Sequence, residues 1–436
     1  MNEQVKEVQS IPLRKFLFIS FDALLTDLAW KITKEGCLVK FYTQNKSERS
    51  VGDGFIEKAD EWEKFKDWAD IIVFDDCGFG NLPDKLRKEG KLVIGGNTYT
   101  DKLELDREFG QQEMKDSGLN VPPFWDFESF DPAIDFVKKN PGRYVIKPNG
   151  KAQNDKVLSF IGQEEDGLDL LTILERYKRF WSSKIRSFQI QKYVSGVEVA
   201  VGTFFNGKDF ILPACINFEH KKMFNDEIGP TTGEMGTSMF WTSSNRLISE
   251  TILKMKDKLA KSNFIGYFDV NCIVNSRGAY PLEITSRFGY PTINIQMEGV
   301  QSKWSDFFID LAKGENFNLK VKKGFQIGVV IAVPPFPFID PQAFQKYSED
   351  AVVIFKKPLS DNIHPCDIKL VDNDWVLTGN SGYSLIVTGS GNTMEEAKKE
   401  TYNIIKHIII PNMFYRTDIG NRWREEGDLL QTWGWL

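Results

Sequence analysis

The chain has 436 residues, 41% hydrophobic and 27% charged, with a net charge of −6; this is ordinary globular composition, enough for roughly two to four domains. No basic run or tail is present, which disfavours a nucleic-acid-binding body, and neither an apolar leader nor a membrane-length apolar run appears, so a soluble cytoplasmic protein acting on small molecules is expected. The five cysteines (Cys37, Cys77, Cys215, Cys272, Cys366) are widely spaced, which suggests neither a zinc knot nor a disulfide framework and favours a reducing compartment.

From Lys15 strands and helices alternate. Phe16 to Ser20, Leu38 to Tyr42, Ile71 to Phe74 and Leu92 to Ile94 read as strands. Leu24 to Lys34 and Leu82 to Lys88 have helical spacing, each stopped by a glycine, and Ala59 to Trp68 is amphipathic. Alternation of this kind predicts a parallel sheet covered on both faces, with ligands at the C-terminal strand ends. Those ends read SFDALL, DDCGFG and GGNTYTDK; none carries GxGxxG, so a dinucleotide site is not supported. Thr100 or Asp101 could cap a helix from Lys102 to Asp116. Beyond Val121-Pro122-Pro123 come a strand Tyr144 to Lys147, the polar loop PNGKAQNDK, and a strand Val157 to Ile161. A helix Asp166 to Trp181 and strands Phe188 to Tyr193, Val197 to Phe205 and Phe210 to Cys215 follow. Phe218 to Ser238 reads as a long polar loop, Leu247 to Ser262 as a helix, and Tyr267 to Val274 with Ala279 to Ile284 as a hairpin. After Gly324 short strands dominate, followed by a helix Thr393 to His407.

The most informative stretch is PLEITSRFGYP, Pro281 to Pro291. A strand end delivers Glu283, and Arg287 follows four residues later. A carboxylate beside a guanidinium suits Mg²⁺ plus a transferring phosphate, although an isolated pair of this kind also fits a salt bridge at a sheet edge. Lys147, at a strand end before a polar loop, can hold a nucleotide phosphate or lie at the surface. Glu198, just after a strand–turn, can reach two vicinal hydroxyls or be an ordinary sheet-surface acid. Asp269 and Asn271 share one face of their strand, and Asn271, twelve residues before Glu283 across the hairpin, can share a cation with it.

In order along the chain, Asp101-Lys102, VIKPNG, YVSGVE, EHKK with GPTTGEMG, LEITSRFGYP, VTGSGNTMEEA and YRTDIGNR resemble the ATP-grasp superfamily. Within it they resemble the phosphoribosylamine–glycine ligases (glycinamide ribonucleotide synthetases), from about residue 97 to residue 422. The resemblance implies an α/β fold with α+β lobes. A pre-ATP-grasp Rossmann-like domain would cover 1–97, a two-lobed ATP-grasp domain 98–323 with its lid near 144–196, and a small C-terminal α+β domain 324–436. It implies ATP and Mg²⁺ (or Mn²⁺), a place in purine biosynthesis, and as partners an amino acid and an amine. Lys102, Lys147 and Lys156 would contact ATP phosphates, the segment Lys192, Tyr193 and Val194 adenine, and Glu198 the ribose. Glu283, with Asn271 or Asp269, would bind the metal. Arg287 and Lys147 would be catalytic, and His220, Lys221, Thr231, Thr232, Gly233 and Arg287 would line the acceptor side. The implied reaction is an ATP-dependent carboxylate–amine ligation through an acyl phosphate; a nucleotide-binding protein that has lost turnover is the alternative.

Three departures stand out. The family's phosphate loop, roughly ADGLAAGKGV, is PNGKAQNDKVL here. Its EFNxRFGDPE is EITSRFGYPT, so Thr285 replaces an Asn and Tyr290 and Thr292 replace two acids. Its N-terminal GSGGREH-like loop, on the phosphoribosylamine side, is ISFDALL.

Overall fold

The computed structural model describes residues 13–149, 158–183, 185 and 187–436. Four parallel strands form the N-terminal sheet in the order Leu38–Thr43, Lys15–Ser20, Ile71–Phe74, Leu92–Ile94. The two inner strands are almost wholly buried, as expected where helices cover both faces. The chain leaves Lys15–Ser20 toward one edge and Ile71–Phe74 toward the other. This reversal opens a crevice beyond their C-terminal ends.

Phe124–Phe127, Phe188–Lys192, Tyr144–Pro148 and Phe160–Ile161 form, in that order, an antiparallel sheet backed by helices Phe130–Lys139 and Leu168–Phe180. Ile134, Val137, Leu170, Leu174, Phe188 and Ile190 make its separate small core.

The largest layer is an eight-stranded antiparallel sheet. Its order is Gly278–Thr285, Ile265–Asn275, Val197–Asn206, Phe210–Glu219, Gly236–Thr242, Phe325–Ala332, Tyr383–Gly391, Ile363–Pro365. Gly236–Thr242 pairs directly with Phe325–Ala332, so hydrogen bonding runs unbroken across residue 324. Strand periodicity sorts the faces: Val197, Val199, Val201, Ile216, Val270 and Cys272 pack into one core. The opposite face carries Glu198, Glu219, Asp269 and Asn271 at one end and Phe204 at the other.

Phe204 is fully buried, with ring centroids 5.0 Å from Phe307, 5.4 Å from Tyr267, 6.0 Å from Trp304 and 6.1 Å from Phe288. Helix Trp304–Ala312 thereby wedges between the large sheet and the N-terminal layer. Its first amides, Trp304 and Ser305, donate to the Glu35 carboxylate at 2.9 and 2.8 Å, which suits the positive end of a helix. Gly95 also joins the layers: its N–H donates to the Ile265 carbonyl at 2.8 Å. Its φ of +136° and the Phe74 Cβ only 2.7 Å from where a side chain would start make glycine necessary there.

The structure corrects several sequence expectations. The helix expected from Lys102 to Asp116 is two helices, Thr98–Leu105 and Arg107–Asp116, broken at extended Asp106, whose side chain caps the second. The first is capped by Asn97 in a capping box with Thr100, rather than by Thr100 or Asp101. The helix expected from Leu247 to Ser262 is interrupted at Thr251. The loop expected from Phe218 to Ser238 holds the ends of two long strands and a small hairpin, Lys222–Phe224 with Ile228–Thr231; Gly229 and Pro230 concealed its strand character. The segment Ala59 to Trp68 contributes only the 3₁₀ turn Trp62–Phe65.

Phe204→Ala should destabilise the protein by about 3–5 kcal/mol, read as a lower denaturation midpoint at unchanged m-value; a loss under about 1 kcal/mol would mean this aromatic cluster does not join the layers.

Candidate functional site

The hairpin Ile265–Asn275/Gly278–Thr285 places Asn271 opposite Glu283 and Asp269 opposite Thr285. Glu198 comes from the neighbouring strand, in register with Ile273. That strand begins directly after Ser195-Gly196, and Gly196 is required: a Cβ there would sit 2.3 Å from the Val274 carbonyl oxygen. Glu219 ends the next strand, and Lys221, two residues on, returns to the same side. The Lys221 ammonium lies 2.8 Å from Glu198, 3.3 Å from Glu219 and 3.5 Å from Glu283. Burial works against its charge, but the three carboxylates overcome this and hold its pKa well above the ordinary value.

Glu219, Lys221, Asp269, Asn271 and Glu283 floor a cleft of about 330 Å³, with Glu198 beside it. Arg107 and Gln111 line it from helix Arg107–Asp116, and Thr231, Thr232, Gly233 and Glu234 from the opposite wall; Arg287, Tyr290 and Thr292 line its inner end. Three polar atoms on the lining residues have no hydrogen-bond partner among the described residues: Arg107 Nε, Asn271 Oδ1 and Glu234 Oε1. Buried polar atoms are rarely left so, and a ligand is a common reason. Asn271 donates its Nδ2–H to Glu219 at 3.0 Å, which leaves its buried Oδ1 as a hard oxygen donor, with Glu283 opposite in the hairpin. This arrangement fits a Mg²⁺ ion, which takes one or two carboxylates and completes its shell with phosphate oxygens and water. Asp269 is buried, and burial together with Glu219 pushes its carboxyl well above the usual range.

Arg287 Nε lies 3.1 Å from Glu104 and 3.4 Å from Asp76, and Nη1 donates to the Phe288 carbonyl at 2.9 Å. Buried Phe288 anchors the turn in the Phe204 cluster, so core packing aims the guanidinium. Lys147 enters from the smaller sheet, its ammonium donating to Gln191 at 2.7 Å. Burial, reinforced by Arg107, pushes its pKa down to about 8, against the pull of Glu283 and Glu198. The side-chain amides of Gln111 and Gln189 exchange hydrogen bonds of 2.9 and 2.7 Å, tying that sheet to the cleft wall.

The structure thus brings Arg287, Lys221, Thr231, Thr232, Gly233, Glu283, Asn271 and Asp269 to the cleft, with Lys147 and Glu198 beside it. Lys102 is not brought there: it is exposed, with its ammonium 4.1 Å from the Phe109 ring centroid. The break at Asp106 resets the helical phase and presents Arg107 instead. His220 faces the other side of the sheet from Glu219 and Lys221. It is buried with both ring nitrogens unpartnered, and burial, helped by Arg422 and Arg416, lowers its pKa to about 3. The Tyr193 ring stacks under Arg143 at 3.6 Å, and the amides of Lys192 and Tyr193 donate to Pro123 and Arg143. Val194 follows them into the turn before Glu198. Lys156 lies outside the described residues. Sequence reasoning missed Arg107, Glu219 and Glu234. The acid within GPTTGEMG, where the resembling family has glycine, was the one available signal.

Residues 105–293 match the phosphoribosylglycinamide synthetase ATP-grasp (A) domain family. Over 362 residues the chain is 24% identical to the phosphoribosylamine–glycine ligase of Streptococcus pneumoniae, covering 80% of this chain and 82% of that protein. Its fold is similar to that of phosphoribosylamine–glycine ligase from Thermotoga maritima, with TM-score 0.70 and 20% identity over 93% of this chain and 100% of the other. It is also similar to the biotin carboxylase domain of the Hydrogenobacter thermophilus 2-oxoglutarate carboxylase, solved with MgADP and bicarbonate. There the TM-score is 0.62 and the identity 11%, covering 93% of this chain and 92% of that one. Residues 105–293 thus match an ATP-grasp domain, and the chain as a whole is similar to phosphoribosylamine–glycine ligases.

Nucleotide affinity should depend on the Lys147 charge. The ammonium is present below about pH 8 and is lost as pH rises through that value. Affinity for a non-hydrolysable ATP analogue with Mg²⁺, followed by calorimetry, should therefore fall about tenfold from about pH 7 to about pH 9. Lys147→Arg should flatten the profile, and a wild-type profile already flat would remove Lys147 from the phosphate site.

Proposed function

We propose that the protein is an ATP-dependent carboxylate–amine ligase. It would join an amino acid to an amine through an acyl phosphate, with glycine and phosphoribosylamine, or a divergent pair, as substrates. The observation that carries this reading is the cleft floor itself: Glu283 opposite Asn271, gathered with Glu198 and Glu219 around Lys221 and set between Lys147 and Arg287.

Glu283 and the unpartnered Asn271 Oδ1 would hold Mg²⁺, with Asp269, on the same strand face as Asn271, a further oxygen. The ion supplies charge neutralisation at the phosphate oxygens. Lys147 contributes an ammonium from the lid side and Arg107 a buried guanidinium whose Nε is unspent. Arg287, held through Nε by Glu104 and Asp76, is positioned to steady the transferring phosphoryl group and the acyl phosphate. In the first step a carboxylate oxygen attacks the γ-phosphorus and ADP departs. In the second the amine attacks the acyl carbon, phosphate departs, and the amide forms. Neither step needs a covalent bond to the protein; these residues contribute position and fixed charge. Thr231, Thr232 and Gly233 would face the acceptor, and Glu198 is placed for the ribose hydroxyls beside the Lys192–Val194 turn.

No helix among the described residues is long and apolar enough to cross a membrane, and all five cysteines are unpaired. Both support action on small molecules in the cytoplasm, and a purine-pathway role would follow from the glycine–phosphoribosylamine pair.

Glu283→Gln should lower amino-acid-dependent ADP release by about a hundredfold or more at saturating Mg²⁺ while the melting temperature stays near wild type. Asn271→Ala should be milder. Near-wild-type turnover by the Glu283 variant would remove that carboxylate from the site. Assayed with glycine and varied phosphoribosylamine, stimulation at micromolar amine supports the purine-pathway pair. Stimulation by amino acids alone supports a divergent ligase, and nucleotide binding without any ADP release supports the turnover-less alternative.

A further inference from the structure

The strand ends where the N-terminal sheet reverses direction lie beside the inner end of the cleft, since Arg287, which lines it, is 3.4 Å from Asp76, and their chemistry differs from that of the nucleotide end. The strand ends there read Ser20-Phe21-Asp22 and Asp75-Asp76-Cys77. Amides that could cradle an anion are already engaged: Phe21 N–H donates to the Asp75 carboxylate at 3.4 Å and Ala23 N–H to the Ser20 hydroxyl at 2.7 Å. The Ser20 hydroxyl is also hydrogen-bonded to Asp75, itself 1% exposed. Tyr290, which lines the cleft, donates its hydroxyl to the Asp75 carbonyl at 2.8 Å and joins the two spaces.

The facing elements add acids. Glu234 is 7% exposed, lines the cleft, and leaves Oε1 without a partner. Electrostatically close to it is Tyr383, whose buried hydroxyl is also unpartnered and which neighbours Asp367. Asp367 and Glu48 both lie against Gly379, and Glu48 Oε2 has no partner. The cations facing this group are Lys221, already held by Glu198, Glu219 and Glu283, and Arg287, already held by Glu104 and Asp76. A phosphate monoester entering here would meet carboxylates and committed amides. A second ammonium would meet unspent acceptor oxygens.

Resting on the ligase reading above, we propose that the acceptor is a cationic amine, a diamine or diamino acid whose second ammonium is held by Glu234 and the acids of this crevice, rather than a phosphorylated amine. Burial, with Asp76 adding, raises Asp75 to about 8; burial and Asp367 raise Glu48 to about 8; burial raises Asp367 to about 7. A bound ammonium would favour their ionised forms and release protons.

The test is calorimetry on the full chain saturated with a non-hydrolysable ATP analogue and Mg²⁺, titrated with 1,4-diaminobutane, lysine or ribose 5-phosphate in buffers of different ionisation enthalpy. At least one of the two cationic probes should bind with proton release, ribose 5-phosphate should not bind, and Glu234→Gln should weaken the cationic probe at least about tenfold. Glu234→Gly, which also removes the side-chain bulk, should do the same; melting curves for both variants show that they are folded. The proposal is overturned if ribose 5-phosphate binds in preference, if the nucleotide-loaded protein takes up neither cationic probe, or if both folded variants bind the cation as wild type does. Failure to bind the ATP analogue at all is a distinct result that removes the ligase reading and this inference together.

Discussion

The Lys221 ammonium draws together carboxylates from three strands of the large sheet: Glu198, Glu219 and Glu283. Without it, these acids on one pleated face would repel one another and splay the strands that carry them. Its charge is the condition for their proximity, since burying like charges together is costly unless an opposite charge is present. The cleft floor is therefore built around a cation before any ligand enters. In the proposed ligase the same oxygens would hold a divalent ion shared with phosphate oxygens. The rest of the site is arranged about this centre. Asn271 is oriented by its bond to Glu219, and Lys147 feels Glu283 and Glu198 across the gap.

Packing fixes what charge alone would leave mobile. Arg287 and Phe288 are consecutive, so the ring's place in the Phe204 cluster determines where the guanidinium emerges. That cluster also holds helix Trp304–Ala312 against the N-terminal layer. A perturbation at Phe204 would consequently move both Arg287 and the strand ends beyond it. The smaller sheet is attached to the cleft wall differently, through the paired amides of Gln111 and Gln189. A polar, directional contact of that kind can hold one orientation yet be exchanged for water at small net cost, which suits a lobe that must admit a nucleotide.

Much of this was legible in the sequence where periodicity and turn chemistry agree. The four N-terminal strands follow from apolar runs separated by helical spacing and glycine stops. The hairpin itself follows from the Asn275-Ser276-Arg277-Gly278 turn, but the register that sets Asn271 against Glu283 does not, because a bulge between Asn271 and Cys272 shifts the pairing by one residue. Reading failed where a local cap overrode periodicity. Asp106 looks like any polar residue of one long helix, yet its extended backbone ends one helix and caps the next. It thereby turns Lys102 outward onto Phe109 and Arg107 inward. His220 was misplaced for a simpler reason: it sits between two residues that face the cleft, and alternation sends it to the other side. Glu234 could be recognised only as an acid standing in a glycine-rich motif, because its burial depends on elements distant in sequence.

The distribution of charge along the cleft is the last constraint. At the lid end Lys147 and Arg107 face the floor, and burial depresses both of their pKa values; each gains from an anion nearby. At the crevice end Glu234, Asp75, Glu48 and Asp367 are raised by burial and gain from a cation. Burial disfavours the charged forms at both ends, and a ligand of opposite charge would restore them. In the proposed ligase a polyanion would thus be favoured at the lid end, with its terminal phosphate toward Arg287. The field that orients the triphosphate also excludes a second anion from the far side. The loss of the glycine loop at Ser20 to Leu25 and the gain of an acid at position 234 are in this sense one change. Each removes a reason for an anion to enter the crevice, and together they leave the acceptor's charge, rather than its shape, as the property this end of the site selects.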